Sequence, residues 1–450
     1  MSILKNLIKS LAPERTANTA EVNAPAEGRL TANYREGAQI ICFAGPSQGN
    51  ALSELTLEMM RPFAKASTGI HLIDISTHGW TEQLNALLAK PVWFAASYFG
   101  VGQQITTPTD SGPKNLWEIS KIPFLRLYGD TPAYFPDRHM RTSKNSINAY
   151  GDISHASFYR RWFKDPALSI VTPPILINKT EVKEIDYSRK RNGKIIFPKN
   201  GNSPTQLIDY WRARIPQHIS EILENISESI TARDRIDSRL SLDEFIISEF
   251  QKISIDISSE PAIVCFMTAQ LDDYLRRFKS TLIIESIQDL PIVLLGKNWD
   301  HVSRNTSRLI HESNDNYSRT KNMMAEALAV LDMAANFHHG PHDRVLRAAG
   351  QGTAFLTNTQ AYFDEILPNS SECTFKFNKD SIHDTVESAL TNPERTIQLG
   401  IENSEILRSH HTDEKYAEIV TTAIQTVAFK MGNRPEGTQN YVDFPPRDFS

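Results

Sequence analysis

The residues best suited to chemistry lie between Asn336 and Asn358, in NFHHGPHDRVLRAAGQGTAFLTN. Gly340-Pro341 breaks the chain ahead of a helical pattern whose apolar positions are Val345, Leu346, Ala348 and Ala349. Proline suits a helix start because its missing N–H is not needed there. A helix entered from a glycine turn presents unpaired N–H groups and a partial positive charge, which fits a diphosphate. His342 stands at that start, Arg344 can add a guanidinium fork, and His339 can hydrogen-bond phosphate or sugar. Simple packing beside the turn competes as the role of His339. Asn358 ends the buried strand that follows Gly350-Gln351-Gly352. Three histidines, His338, His339 and His342, invite a metal ion. HHxxH matches no ligand spacing with a strong record, so no metal is expected.

Weaker candidates sit in other turns. Lys199-Asn200-Gly201-Asn202 follows a short strand, and Gly201 would let N–H groups approach a phosphate. Lys297, after Gly296, could meet the same phosphate as a point charge. An ordinary solvated loop explains both turns equally well. Earlier in the chain, Tyr128 to His139 (YGDTPAYFPDRH) is a polar and aromatic loop at a strand end. A reaction that deprotonates a hydroxyl needs a carboxylate or imidazole base in reach. Asp130 is the first candidate and His139 the second, although Asp before Thr-Pro also forms turns. Ser47 and Gln48, in the turn AGPSQGN, could touch a ligand or simply shape the turn.

These residues need a frame, and the apolar pattern supplies one. Short buried runs at Gln39–Phe43, Ile70–Ile75, Val92–Ala96, Ile122–Tyr128, Ser169–Val171 and Ile175–Ile177 alternate with helical spacing at Leu52–Phe63 and Trp80–Leu88. A second series runs through Lys194–Phe197, Pro291–Leu295, Ala329–Met333, Thr353–Thr357 and Cys373–Phe377, and Tyr416–Phe429 reads as a last helix. Strands separated by helices imply βαβ units and parallel sheets. The expected fold is α/β with two Rossmann-like lobes, whose cleft faces the carboxyl ends of both sheets. The expected division is an N-terminal helix and linker over 1–36, a first lobe over 37–180, a second over 181–431 and a tail over 432–450. Within the second lobe, periodicity over about 206–282 is helical and reads as an insertion.

Composition narrows the partners. The 450 residues carry a net charge of −5 with both signs interspersed, so nothing demands nucleic acid. Cys42, Cys265 and Cys373 lie far apart, which suggests neither a disulfide framework nor a zinc site. No apolar run reaches membrane-helix length and no secretory h-region opens the chain, so a cytoplasmic location is expected. Residues 1–12 carry an apolar stripe flanked by Lys5 and Lys9. That stripe could rest weakly on the inner face of a membrane, or form a short docked or frayed end.

HGPHDRVLRAAGQGTAFLTN, together with FKFNKDSIHDTVESALTNPERTIQLGIENSEILRSHHTDEKYAEIV, resembles the GT-B glycosyltransferases with a group-1-like C-terminal domain. Within them it is similar to the spore maturation protein (CgeB-like) group. The resemblance covers about 291–420 well, and the first lobe only by architecture. It implies sugar transfer from a nucleotide-sugar donor, held by the second lobe, to a glycan or protein acceptor. The donor is a co-substrate, and no cofactor is implied. Family members commonly carry a glutamate for the donor ribose where this sequence has Arg347. Two other readings stay open: a GT-B-like binding or scaffold protein without turnover, and a sugar-nucleotide epimerase.

Overall fold

In a computed structural model, the protein is described at residues 33–45, 51–140, 143–164, 167–177, 186–232, 235–237, 240–302, 308–313, 317–334, 337 and 339–433. The stripe at 1–12, Ser47, Gln48, His338 and nearly all of the tail lie outside these residues.

The first lobe is a parallel six-stranded sheet in the order β2-β1-β3-β6-β7-β8. Its strands are β1 (Tyr34–Ala44), β2 (Ile70–Asp74), β3 (Val92–Tyr98), β6 (Phe124–Tyr128), β7 (Ser146–Tyr150) and β8 (Leu168–Val171). A two-residue hairpin, β4 (Thr106–Thr107) and β5 (Lys114–Asn115), projects beside them. β3 is buried along its whole length, as parallel strands covered on both faces must be. Helices α1 (Ala51–Met60) and α2 (Ile153–Trp162) flank the sheet. Asp152 starts α2 by accepting the N–H of Ser154 at 2.7 Å, which satisfies a donor the helix leaves unpaired.

The helical pattern after Gln206 becomes four helices: α3 (Pro204–Arg214), α4 (Gln217–Thr231), α5 (Leu242–Lys252) and α6 (Pro261–Ser286). They share an apolar core with Tyr150, Phe158, Tyr159 and Trp162 of the first lobe. The insertion therefore roofs the first lobe as well as adjoining the second.

The second lobe is another parallel six-stranded sheet, ordered β11-β10-β9-β12-β13-β14. It comprises β9 (Ile195–Pro198), β10 (Val293–Leu295), β11 (Ile310–Glu312), β12 (Ala329–Leu331), β13 (Ala354–Asn358) and β14 (Thr374–Phe375). Its helices include α7 (Tyr317–Glu326), α8 (Asp343–Gly350) and α9 (Pro393–His410). Ile175–Ile177 is no strand: it runs between the lobes, with Leu176 in the first core and its two neighbours in the second.

The last helix, α10 (Asp413–Lys430), corrects the expected division, which places it in the second lobe. Tyr416, Val420, Ala423, Ile424 and Val427 share one helical face and enter the core of Met59, Phe63 and Trp93. Burying each large apolar side chain is worth roughly 1.5–3 kcal/mol. That seam outweighs the ion pair Arg61–Asp413 (2.9 Å) beside it.

Candidate functional site

In the second sheet β9 is followed outward by β10 and β11 on one side and by β12 on the other. Chain direction across the sheet reverses between β9 and β12, and such switch points open a crevice at the strands' carboxyl ends. Two charged residues stand at these strand ends, Lys199 directly after β9 and Asp332 directly after β12. Lys199 is partly buried and enters no ion pair among the described residues. Burial, with Arg344 and Arg276 as cationic neighbours, pushes its ammonium down to about 8, against the weaker pull of Asp273 and Asp332. A cation enclosed beside two others is a place where an anion lowers the energy.

Asp332 is fully buried and organises the start of α8. Its Oδ1 lies 3.0 Å from His342 Nδ1 and accepts from Arg344 Nη1 at 2.9 Å. An ionised carboxylate only accepts, so Nδ1 of His342 carries the proton. Burial pushes the Asp332 carboxyl up, but His342 and Arg344 overcome it and hold it well below the ordinary carboxylate range. The two predicted donor ligands thus spend part of their hydrogen bonding on a residue the sequence reading passed over.

The loop ahead of α8 is docked rather than open. His339 donates its backbone N–H to Asp152 Oδ2 of the first lobe at 2.9 Å, while the residue itself is exposed. Gly340 presses on Gly151 so closely that a Cβ would stand 2.5 Å from the Gly151 carbonyl oxygen. The first lobe therefore occupies the approach to Gly340, while the start of α8 carries no side-chain cap at His342. Asn358 is buried, and its Oδ1 accepts the N–H of Ala334 at 2.9 Å. It positions the chain after Asp332 instead of facing a ligand.

The two weaker turns are knitted to each other. Asn200 Oδ1 accepts the Lys297 N–H at 2.9 Å, and the Gly201 N–H is spent on the Lys297 carbonyl at 2.9 Å. Gly201 is needed for a different reason than phosphate: a Cβ there would lie 2.0 Å from the Trp299 ring. Trp299 is fully buried and donates from Nε1 to the Lys199 carbonyl at 2.8 Å. Gly201→Ala must therefore displace the indole that holds Lys199. A loss of about 3 kcal/mol in a urea unfolding titration is expected, and unchanged stability would show that the turn relaxes freely.

In the first lobe, Asp130 and His139 part company. His139 is fully buried among Tyr128, Tyr150, Tyr159 and Phe163. Nδ1 meets the Phe135 carbonyl and Nε2 the Tyr150 hydroxyl, both at 2.9 Å. Burial first, then Arg126, pushes its imidazolium down to about 3. Enclosed this way it cannot meet an acceptor, which corrects its expected role as a base. Asp130 is partly exposed, but its Oδ1 accepts from Arg276 of α6 at 2.8 Å. Arg276 also pairs with buried Asp272 at 2.8 Å, so the insertion ties itself to the expected acceptor loop.

Residues 276–421 match the family model described as glycosyl transferase-like. The second lobe carries a glycosyl transferase-like domain. No curated protein matches the chain. Among solved structures, the chain is similar to Anabaena HepE in complex with UDP and glucose, at 9% identity over 86% of this chain and 99% of that one, with a TM-score of 0.42. Sucrose-phosphate synthase from Thermosynechococcus elongatus has 8% identity over 87% and 100%, with a TM-score of 0.49. An alpha-glucosyltransferase in complex with UDP-glucose and DNA containing an abasic site has 10% identity over 86% and 100%, with a TM-score of 0.48. The two parallel six-stranded sheets make two Rossmann-like lobes.

Within the glycosyl transferase-like domain, Arg347 turns away from the crevice. Its Nη2 lies 3.4 Å from Glu58 Oε2 of α1, and Lys321 reaches the other oxygen of Glu58 at 2.7 Å. Where a family glutamate would face a ribose, this chain joins its lobes. Among the described residues, atoms able to hold a metal gather at His383, Asp384 and Glu387, on the helix Lys379–Thr391 rather than beside Lys199 and Asp332. No helix among the described residues is long and apolar enough to cross a membrane.

Proposed function

We propose that the protein transfers a sugar from a nucleotide-diphosphate donor to a hydroxyl of a glycan or protein acceptor, without a metal at the diphosphate. The observation that carries this reading is Lys199, a cation held beside Arg344 and Arg276 at the switch point of the glycosyl transferase-like domain. In the reaction, the bond from the anomeric carbon to the diphosphate breaks and one to the acceptor oxygen forms. The acceptor gives up its proton, and the leaving diphosphate gains charge as its bond lengthens. Lys199 and Arg344 would meet that charge where it develops, which is the work a metal does elsewhere. Asp130 is kept as the acceptor-side base, with Arg276 setting its direction.

Incubating the purified protein with a panel of UDP-, GDP- and TDP-sugars tests this. Slow release of nucleotide without acceptor is expected from at least one donor, together with a thermal shift by the matching nucleotide. Neither release nor shift across the panel would favour the scaffold reading, and interconversion of donor sugars would favour the epimerase.

A further inference from the structure

A second place in the molecule is built for a polar guest. Between α2 of the first lobe and α5 and α6 of the insertion lies a cavity of about 40 Å³. Thr131, His155 and Phe158 line one side, and Asp243, Thr268 and Asp272 the other. His155 and Thr268 are each 3% exposed and Asp272 0%. Both ring nitrogens of His155, Oγ1 of Thr268 and Oδ1 of Asp272 are buried without a hydrogen-bond partner among the described residues. Interiors hold few such atoms because each costs its lost hydration. Several on one small void are the lining of a site.

The chemistry of the lining selects the guest. A carboxylate accepts, a neutral imidazole donates from one nitrogen and accepts at the other, and a hydroxyl does both. Burial pushes the His155 imidazolium down, which keeps the ring neutral. Hydroxyl groups answer all three, whereas an anion would meet Asp272 and Asp243. An ammonium is not needed, since Arg276 already pairs with Asp272 at 2.8 Å. Asp243 is committed, with Oδ2 accepting from Arg161 at 2.9 Å and from Trp162 at 2.8 Å. Phe158 offers an apolar surface of the kind that meets the C–H face of a sugar.

Size and position narrow the guest further. The void admits roughly three water-sized groups, which is one edge of a ring or a hydroxymethyl group with its neighbour. Phe337 packs edge-on against His155 with ring centres 5.2 Å apart, and against His342 at 5.4 Å. Two ring contacts therefore separate the cavity from the cluster around Asp332.

We infer that this cavity anchors the acceptor, taking adjacent hydroxyls of a neutral sugar or polyol on Asp272 Oδ1, Thr268 Oγ1 and the His155 ring. The inference rests on the sugar-transfer reading above for the word acceptor, but not for the sugar binding itself. It assigns the helical insertion a purpose: α5 and α6 form the wall that the first lobe lacks.

The test titrates methyl glucoside, methyl galactoside, methyl N-acetylglucosaminide and glycerol into the nucleotide-free, full-length protein, read by saturation-transfer NMR. Thr268→Val keeps the side-chain shape and deletes one unpartnered hydroxyl, so it should melt no lower than the wild type. At least one probe is expected to bind the wild type and to lose about tenfold or more in affinity in Thr268→Val and in Asp272→Asn. Failure of all four probes to bind, or equal affinity in folded Thr268→Val, overturns the inference. Probe binding without hydrolysis of any donor would instead sink the transfer reading and leave a sugar site standing.

Discussion

Asp332→Ala is expected to lower stability by about 3–5 kcal/mol, because removing one partner of a buried ion pair strands the other. The carboxylate is fully enclosed, and both of its partners come from the start of α8. Without it, the Arg344 guanidinium and the His342 ring face a void, and β12 loses its tie to the helix that follows it. Acid gives an independent check. The folded-state pKa of Asp332 is held below its unfolded value, so its contribution is complete above the unfolded carboxylate pKa of about 4. It is lost as pH falls from there toward the folded value. Urea titrations at pH 7 and at pH 3 should therefore show a wide gap between wild type and variant at neutrality that narrows in acid. A gap of the same size at both pH values would mean that Asp332 acts through packing alone.

The strands that position the site are legible wherever both faces are buried. VWFAA and AFL are continuous apolar runs and become β3 and the body of β13, and FLRLY, broken by Arg126 alone, becomes β6. β7, SINAY, escapes because Ser146 and Asn148 are polar although fully covered. β11 escapes because it is a three-residue edge strand with partly exposed side chains. The four insertion helices show in their periodicity, since Ile219, Leu223, Ile226 and Ile230 mark one face of α4. Which neighbour that face meets is a property of the tertiary fold, and no local pattern carries it.

The same limit governs the site. His342 and Arg344 are readable as polar residues at a helix start, but their partner Asp332 lies ten and twelve residues upstream and is delivered by the pairing of β12 with β9. Its trace in the sequence is a lone carboxylate ending the apolar run AVL. Gly201 is readable as a permissive residue, yet the ring it makes room for is Trp299, far along the chain. Asp130 and Arg276 stand 146 positions apart, so a carboxylate that looks free in the sequence is paired in the fold. The corrections share one cause: turn chemistry is local, and its partners are not.

Lys199→Met should weaken the binding of UDP or GDP by about 10- to 100-fold, the worth of one or two hydrogen bonds to a charged group. Methionine keeps most of the stem and drops the ammonium. The unliganded variant should melt no lower than the wild type, because the charge it removes is enclosed beside Arg344 and Arg276. The pH dependence makes the expectation sharper. In the free protein the lysine titrates at about 8, and a bound diphosphate raises that value by favouring the charged form. Affinity should then be level below pH 8 and fall above it, by at most about tenfold per pH unit, until the bound form also loses its proton. Calorimetry at pH 8.5 in two buffers of different ionisation enthalpy should detect proton uptake on binding. The uptake should vanish in Lys199→Met, and also in Lys199→Arg, whose guanidinium does not titrate in this range. Proton uptake that survives both substitutions would move the anion site away from Lys199 and withdraw the observation on which the proposed function stands.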